Sequence, residues 1–192
     1  HARPFATNAS AFVQSMSLGP TGARLFVETR GRLYSVPVKQ GAVALAAKDG
    51  VRYRMPKLSP DGTRLAFMGD EEGEQRIYTA NPDGSEPKPI TPKAARTLQA
   101  MSWSPDSQWI SYVDSTFHLR IVRADGSEER TLAQGTGSKY WYGPVVSWSP
   151  DSKWLAFESF NAKTSFMRTT LYRLEDKSIT LLGDGMTNDR YP

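Results

Sequence analysis

The sequence predicts an all-β repeat protein, and three observations support this prediction. A Ser-Pro-Asp-Gly/Ser motif or a variant of it recurs at Pro20, Pro60, Pro105 and Pro150, at intervals of 40, 45 and 45 residues. Short runs of β-branched and aromatic residues, which are typical of strands, separate the motifs. No window keeps the apolar spacing of a helix, because Pro or Gly interrupts the chain too often. Repeats of about 40–45 residues with four antiparallel strands are typical of β-propeller blades.

Each repeat has the same order of elements, which is clearest in the fourth. An apolar run at 143–148 leads into the turn at Pro150 and Asp151. Pro presets the backbone of such a turn, and Asp accepts hydrogen bonds from nearby backbone groups. The second, third and fourth strands of this repeat are expected at 154–157, 170–173 and 179–182.

The repeat phase divides the chain into expected segments. They are a tail or linker (1–10), four blades (11–47, 48–92, 93–134 and 135–183) and the start of a fifth blade (184–192). The last segment ends in Tyr191-Pro192, which matches the stretch Tyr53–Pro56 before Pro60. The fold is therefore expected to be about four blades of four antiparallel strands, a fragment of a six- or seven-bladed propeller. Its open blade edges are predicted to associate with another copy.

Two residue types in the repeat invite a functional interpretation that its periodicity disfavours. Trp103 and Trp148 recur at one blade position, which favours packing between neighbouring blades over ligand stacking. Asp61, Asp106 and Asp151 occur once per turn at a fixed phase. Turn chemistry explains these carboxylates better than metal binding or catalysis.

Composition excludes several classes of protein. The chain has 24 Lys and Arg against 20 Asp and Glu, and a net charge of +4 does not indicate nucleic-acid binding. Cysteine is absent, so disulfides and thiol chemistry are excluded. No apolar run reaches the length of a membrane span.

The sequence offers little catalytic chemistry. A Ser-His-Asp triad would have to use His118, since the other histidine is His1, and no Gly-x-Ser-x-Gly motif occurs. The stretch Gly135–Lys139 lacks the full phosphate-loop pattern, and Asp70–Glu74 lacks the ligand spacing of a calcium loop. We therefore expect no catalytic residue, no metal site and no cofactor, and interpret His118 as a surface loop residue.

Strand direction predicts where a binding face lies. In each blade, the loop between strands two and three and the loops that join blades share one face, opposite the Ser-Pro-Asp turns. Loops on a rigid scaffold concentrate binding residues, and Arg, Tyr and Trp are enriched at hot spots. The candidate contacts for a peptide or protein partner are Arg52, Arg54, Arg96, His118, Lys139, Tyr140, Trp141, Tyr142 and Arg190. Residues 139–142 are the first choice; the alternative is that Trp141 or Tyr142 starts a strand and packs inward.

The repeat also resembles a known family. The pattern Trp-Ser-Pro-Asp-Gly/Ser-Lys-Trp-Leu-Ala-Phe is similar to the propeller repeats of tricorn peptidases and of the periplasmic Tol-system propeller. The stretches 19–37 and 171–192 resemble parts of the second, seven-bladed propeller of tricorn-like peptidases. The resemblance covers about residues 11–192.

Tricorn-like proteins are large serine peptidases whose propellers are non-catalytic channels and filters. The resemblance implies a module that gates or binds peptides and docks to the catalytic part of a larger parent protein. It carries no catalytic residue into this stretch, so the chain itself is expected not to hydrolyse peptides. The alternatives are a Tol-system-like interaction propeller without peptidase activity, and a propeller attached to another hydrolase, as in prolyl oligopeptidase relatives. The compartment stays open: cytoplasmic for a tricorn-like protein, periplasmic for a Tol-like one.

Overall fold

A computed structural model of the chain describes residues 12–39, 44–45, 51–71, 73–93, 97–133, 146–161 and 166–183. These residues form four sheets, each with four antiparallel strands that neighbour one another in chain order. The all-β prediction and the four-stranded repeat are therefore confirmed, whereas the exact limits of the predicted segments stay predictions.

The strands follow the repeat phase. The first sheet contains β1 (Val13–Leu18), β2 (Arg24–Thr29), β3 (Arg32–Pro37) and β4 (Ala44–Leu45), and the second contains β5 (Tyr53–Leu58), β6 (Leu65–Gly69), β7 (Arg76–Ala80) and β8 (Lys88–Pro89). The third contains β9 (Leu98–Trp103), β10 (Trp109–Asp114), β11 (Leu119–Arg123) and β12 (Glu129–Ala133). The fourth contains β13 (Val146–Trp148), β14 (Trp154–Asn161), β15 (Phe166–Arg173) and β16 (Ile179–Leu181). Two compact units, residues 1–89 and 90–192, hold two sheets each.

The Ser-Pro-Asp turns work as the sequence predicts. In the third sheet, the Ser104 hydroxyl donates to Asp106 Oδ1 (2.5 Å), and the same oxygen accepts the N–H of Gln108 (3.0 Å). Asp61 and Asp151 accept equivalent bonds from their own turns. The interpretation of these carboxylates as turn residues is therefore confirmed.

The third and fourth turns use Ser where the first two use Gly. Gly62 has a φ of +75°, and Ser152 takes nearly the same left-handed conformation at +58°. A side chain in this region is strained, and glycine avoids that strain. The Ser152 side chain, however, supplies a hydroxyl that accepts the N–H of Asp106 in the neighbouring sheet at 2.9 Å.

Four turn carboxylates, Asp151 among them, have a pKa that hydrogen bonds within their turns lower. Hydrogen bonds from Ser85, Ser127, Ser149 and Ser178 are the largest causes that lower the pKa of Asp83, Asp125, Asp151 and Asp176, respectively. A pKa that is lower in the folded than in the unfolded state stabilises the fold above the unfolded value, near 3.8, and this contribution is lost as the pH falls through the folded pKa.

We therefore expect the urea midpoint of the wild-type chain to fall as the pH drops below about 4. Replacing these four Asp residues with Asn keeps the acceptor oxygen and removes the titration, so the variant should show a shallower acid slope between pH 5 and pH 2.5. An identical acid slope in both proteins would assign acid sensitivity to other groups.

The core of the first unit lies between its two sheets. Phe26 and Leu33 of the first sheet pack with Leu65 and Phe67 of the second, and all four are at most 1% exposed. The Phe67 ring lies edge-on to Tyr53 at 5.2 Å. It also stacks on Tyr78 at 5.7 Å between ring centroids. The β-type residues of β2, β3, β5, β6 and β7 in this cluster are thus buried between the two sheets.

The core of the second unit is built in the same way. Trp109 packs with Leu155 and Phe157 of the fourth sheet, and Arg123 and Arg130 place their guanidinium carbons 4.6 and 4.8 Å from its ring centroids. A further tryptophan, Trp148, lies against this cluster and donates its indole N–H to Ser111 Oγ at 3.3 Å. Trp148 is partly buried, and its contacts confirm the prediction that it packs between neighbouring blades. Trp103 is buried.

Candidate binding site

An open cleft of about 420 Å³ lies in the first unit. Its walls come from the ends of β1, β2, β5 and β6 and from the loops beside them, on the face opposite the Ser-Pro-Asp turns. The lining residues are Gln14, Glu28, Arg30, Gly31, Arg52, Arg54, Met68, Gly69, Asp70 and Gln75. A cleft of this size accommodates a small molecule or a short segment of peptide.

The tight turn between β2 and β3 forms one wall of the cleft. Gly31 takes a φ of +74°, and a Cβ added there would lie 3.3 Å from Cγ of Arg52. The carbonyl of Gly31 accepts the N–H of Tyr53 at 2.8 Å. Glycine is therefore needed both for the turn and for the close approach of β5.

Asp70 fixes the backbone that carries Arg52. The N–H of Arg52 donates to Asp70 Oδ1 at 2.8 Å, and the N–H of Asp70 donates to the Arg52 carbonyl at 3.3 Å. The next residue, Tyr53, donates its hydroxyl to Glu71 Oε1 at 2.6 Å. These bonds fix Arg52 and Tyr53, at the start of β5, beside the loop that follows β6.

Glu28 is a buried carboxylate at the end of β2, only 1% exposed. Its Oε2 accepts the Ser15 hydroxyl at 2.5 Å and the N–H of Met55 at 3.0 Å. Its Oε1 is buried, and among the described residues no group donates a hydrogen bond to it; Arg54 Nε lies 3.8 Å away. Met55 takes a left-handed φ of +52°, next to an irregularity in the β5–β6 register that follows Arg54.

The cleft carries charges of both signs. Three arginines (Arg30, Arg52 and Arg54) line it together with two acidic residues (Glu28 and Asp70). The Arg30 guanidinium lies over the Phe12 ring, 4.0 Å from its centroid. The side chain of Arg54 is half exposed, so it can turn toward a ligand. The cleft thus offers hydrogen-bond donors and acceptors side by side.

The sequence-predicted residues divide into three groups. Arg52 and Arg54 come together in this cleft. His118 lies in the second unit. Arg96, Lys139, Tyr140, Trp141, Tyr142 and Arg190 lie outside the described residues.

His118 takes part in the turn between β10 and β11. The buried Asp114 accepts hydrogen bonds at Oδ1 from the N–H groups of Thr116 (2.9 Å) and His118 (3.1 Å) and from the Thr116 hydroxyl (2.5 Å). Because that hydroxyl donates its only hydrogen to Asp114, the His118 Nδ1, 2.7 Å from it, must be the donor of their shared bond. This geometry makes His118 part of a closed turn and places no activated nucleophile beside it.

Sequence reasoning missed Glu28 and Asp70. Glu28 occupies the strand position that holds Met68 in the second repeat, Val113 in the third and Glu158 in the fourth. Glutamate inside a strand at the same position of two repeats is a signal that comparison of the repeats could have found. The role of Asp70 depends on a contact across two loops, which the repeat pattern does not reveal.

The described part of the chain supplies no recognisable metal site. No group of three or more His, Cys, Asp or Glu residues lies together there with the arrangement needed to hold an ion. Nor do those residues include a helix with the length and apolarity of a membrane span.

Comparisons with known proteins identify the fold. The chain is 24% identical over 126 residues to tricorn protease homologue 1 of Streptomyces coelicolor, covering 66% of this chain and 12% of that protein. It superposes on the tricorn protease structure with a TM-score of 0.76 at 13% identity, covering 94% of this chain and 17% of that one. The putative TolB of Agrobacterium tumefaciens gives a TM-score of 0.64 at 21% identity, covering 90% of this chain and 62% of that one. No protein-family model matches the chain.

These likenesses bear out the expected resemblance to tricorn-like and Tol-like propellers. At such identities the solved structures establish the β-propeller fold and not an activity. The chain spans less than two thirds of each of these three proteins.

Proposed function

We propose that this propeller segment is a non-catalytic module that binds an extended peptide, with the cleft of the first unit as a contact site. The observation that carries the proposal is the cleft itself, where Arg52 and Arg54 lie with the buried Glu28 and the partly buried Asp70. Within a tricorn-like protein, such a module would gate or select peptides and dock to the catalytic part.

The geometry of the cleft supports a binding role. The carboxylates of Asp70 and Glu28 accept backbone N–H groups at the ends of strands. The two sheets below them share a cluster of buried side chains. Binding residues on loops above a rigid scaffold lose little conformational entropy when a ligand arrives. A peptide presents both N–H donors and carbonyl acceptors, which suits a surface that carries groups of both kinds.

A Tol-system-like interaction propeller, without an attached peptidase, is the second candidate. The structural likeness to the putative TolB, with a TM-score of 0.64 at 21% identity, supports it. In this case the occupant of the cleft is an extended segment of a partner protein. The residues that flank the present sequence in its gene distinguish the two, since a tricorn-like parent encodes a serine peptidase segment.

The double variant Arg52→Glu/Arg54→Glu tests the binding role. It replaces two guanidinium donors in the cleft with acceptors, and hydrogen bonds that involve a charged group contribute about 1.5–3 kcal/mol each. We therefore expect at least about tenfold weaker binding of fluorescein-labelled random octapeptides, measured by fluorescence anisotropy.

Lys39→Glu is the matched control. It makes the same replacement of a cation by a carboxylate as each half of the double variant, on an exposed residue of the same unit in the loop after β3 on the Ser-Pro-Asp side. Binding that survives in the double variant, or that falls equally in the control, would contradict the proposal.

A further inference from the structure

The unpartnered oxygen of Glu28 is the feature that the fold does not explain. Ser15 and Met55 satisfy Oε2, and among the described residues nothing donates a hydrogen bond to Oε1, although this atom is buried. Buried polar atoms are nearly always hydrogen-bonded, because leaving one without a partner is destabilising. A group that binds in the cleft could therefore gain affinity by donating a hydrogen to Oε1.

Arg54 does not donate a hydrogen bond to this oxygen. Its Nε lies 3.8 Å from Oε1, beyond the range of a hydrogen bond to oxygen, and its side chain is half exposed. The guanidinium therefore keeps donors available for a second acceptor. An acceptor oxygen and free donors thus stand next to each other at one end of the cleft.

The surrounding charges select the class of ligand group. The cleft is lined by three arginines (Arg30, Arg52 and Arg54) and by two acidic residues (Glu28 and Asp70). A ligand ammonium or a ligand carboxylate would therefore lie among like charges as well as opposite ones. A neutral amide supplies a donor for Oε1 and an acceptor for Arg54 without like-charge repulsion.

We propose that this end of the cleft binds a neutral amide group of an extended peptide backbone. Glu28 Oε1 accepts a backbone N–H, and the Arg54 guanidinium donates to a neighbouring backbone carbonyl. Recognition of the backbone, not of a terminus or a side chain, makes the site tolerant of peptide sequence. This inference rests on the proposed function and specifies the chemistry of the same site.

The variant Glu28→Gln reverses the polarity of the critical position. Ser15 and Met55 both donate to Oε2, so the amide oxygen of the new Gln must take that place and its NH₂ must face the cleft. The NH₂ of the new Gln then faces the backbone N–H of the peptide, and two donors cannot form a hydrogen bond with each other. We expect at least about tenfold weaker binding, while both internal donors keep an acceptor.

The experiment titrates the ¹⁵N-labelled full chain with a pentapeptide, acetyl-Ala-Ala-Ser-Ala-Ala-amide, and follows the NMR signals of cleft residues such as Gly31, Met55 and Gly69. Three comparisons are made with the same sequence bearing free ends, with a capped pentasarcosine that lacks every backbone N–H, and with the Glu28→Gln chain. Glu158→Gln is the matched control, because Glu158 is also buried and occupies the equivalent strand position in the second unit.

We expect the capped alanine peptide to bind the wild type and Glu158→Gln. The sarcosine peptide should bind neither of them, and Glu28→Gln should lose binding of the capped alanine peptide. Binding of the free-ended peptide alone would show that terminal charges are recognised, which refutes this inference and leaves the proposed function standing. Unchanged binding by a folded Glu28→Gln chain refutes it as well. If Glu28→Gln fails to fold, equal binding of the sarcosine and alanine peptides by the wild type refutes it. If neither the capped nor the free-ended peptide shifts any cleft signal, the proposed function fails with it.

Discussion

Replacing Phe67 with alanine is expected to lower the unfolding free energy of the first unit by about 3–5 kcal/mol, the usual effect of removing a buried phenyl ring. Phe67 is 1% exposed and contacts the rings of Tyr53 and Tyr78, so the variant loses burial and two aromatic contacts and leaves a cavity. Hydrogen exchange measured by mass spectrometry should detect faster exchange in peptides from β5, β6 and β7.

The distribution of tryptophan makes this prediction specific to one unit. All five tryptophans, Trp103, Trp109, Trp141, Trp148 and Trp154, belong to residues 90–192. Indole fluorescence therefore reports on the second unit, while hydrogen exchange reports on both. The control is Leu18→Ala, since Leu18 is 59% exposed and its truncation should change the unfolding free energy by less than about 1 kcal/mol. Equal effects of the two substitutions would contradict the assignment of the core.

Replacing Asp114 with alanine is expected to destabilise the second unit by about 3–5 kcal/mol, the range for removing one partner of a buried charged network. The Asp114 carboxylate is 1% exposed and accepts three hydrogen bonds at Oδ1 from the turn that it closes. Its Oδ2 lies 3.5 Å from Arg120 Nε, whose side chain is mostly buried. The substitution leaves these donors without their acceptor, and indole fluorescence in urea should show a lower midpoint.

The matched control for Asp114 is Asp106→Ala. Asp106 also accepts turn hydrogen bonds from a Ser hydroxyl and a backbone N–H, but its side chain is exposed. Water can replace the lost acceptor there, so we expect an effect of only about 1 kcal/mol. If Asp114→Ala lowers the unfolding free energy no more than Asp106→Ala does, burial of the carboxylate adds nothing to the stability that it provides.

Much of the fold was predictable because its signals are local. Pro60, Asp61 and Gly62 specify a turn through their own backbone preferences, and each copy of the motif repeats this information. The run at 109–113 has the β-type residues that a buried strand needs, and it forms most of β10. Repetition at a fixed period then predicts sheets of four strands, since each turn marks the same point of a blade.

The candidate site was predictable only in part. The direction of the strands placed Arg52 and Arg54 on the loop face, and the structure brings both into one cleft. The residues first chosen, 139–142, lie outside the described residues, so their role stays a prediction. Glu28 was missed because its importance arises from Ser15 and Met55, which are 13 and 27 residues away in the chain.

The sequence by itself determined the all-β class, the repeat phase and the chemistry of the turns, because these depend on short-range backbone preferences and on periodicity. Only the tertiary structure decided that one oxygen of a buried glutamate has no donor among the described residues and lies beside a half-exposed arginine. That arrangement depends on which groups of the neighbouring strands reach the carboxylate, and no local pattern encodes that geometry.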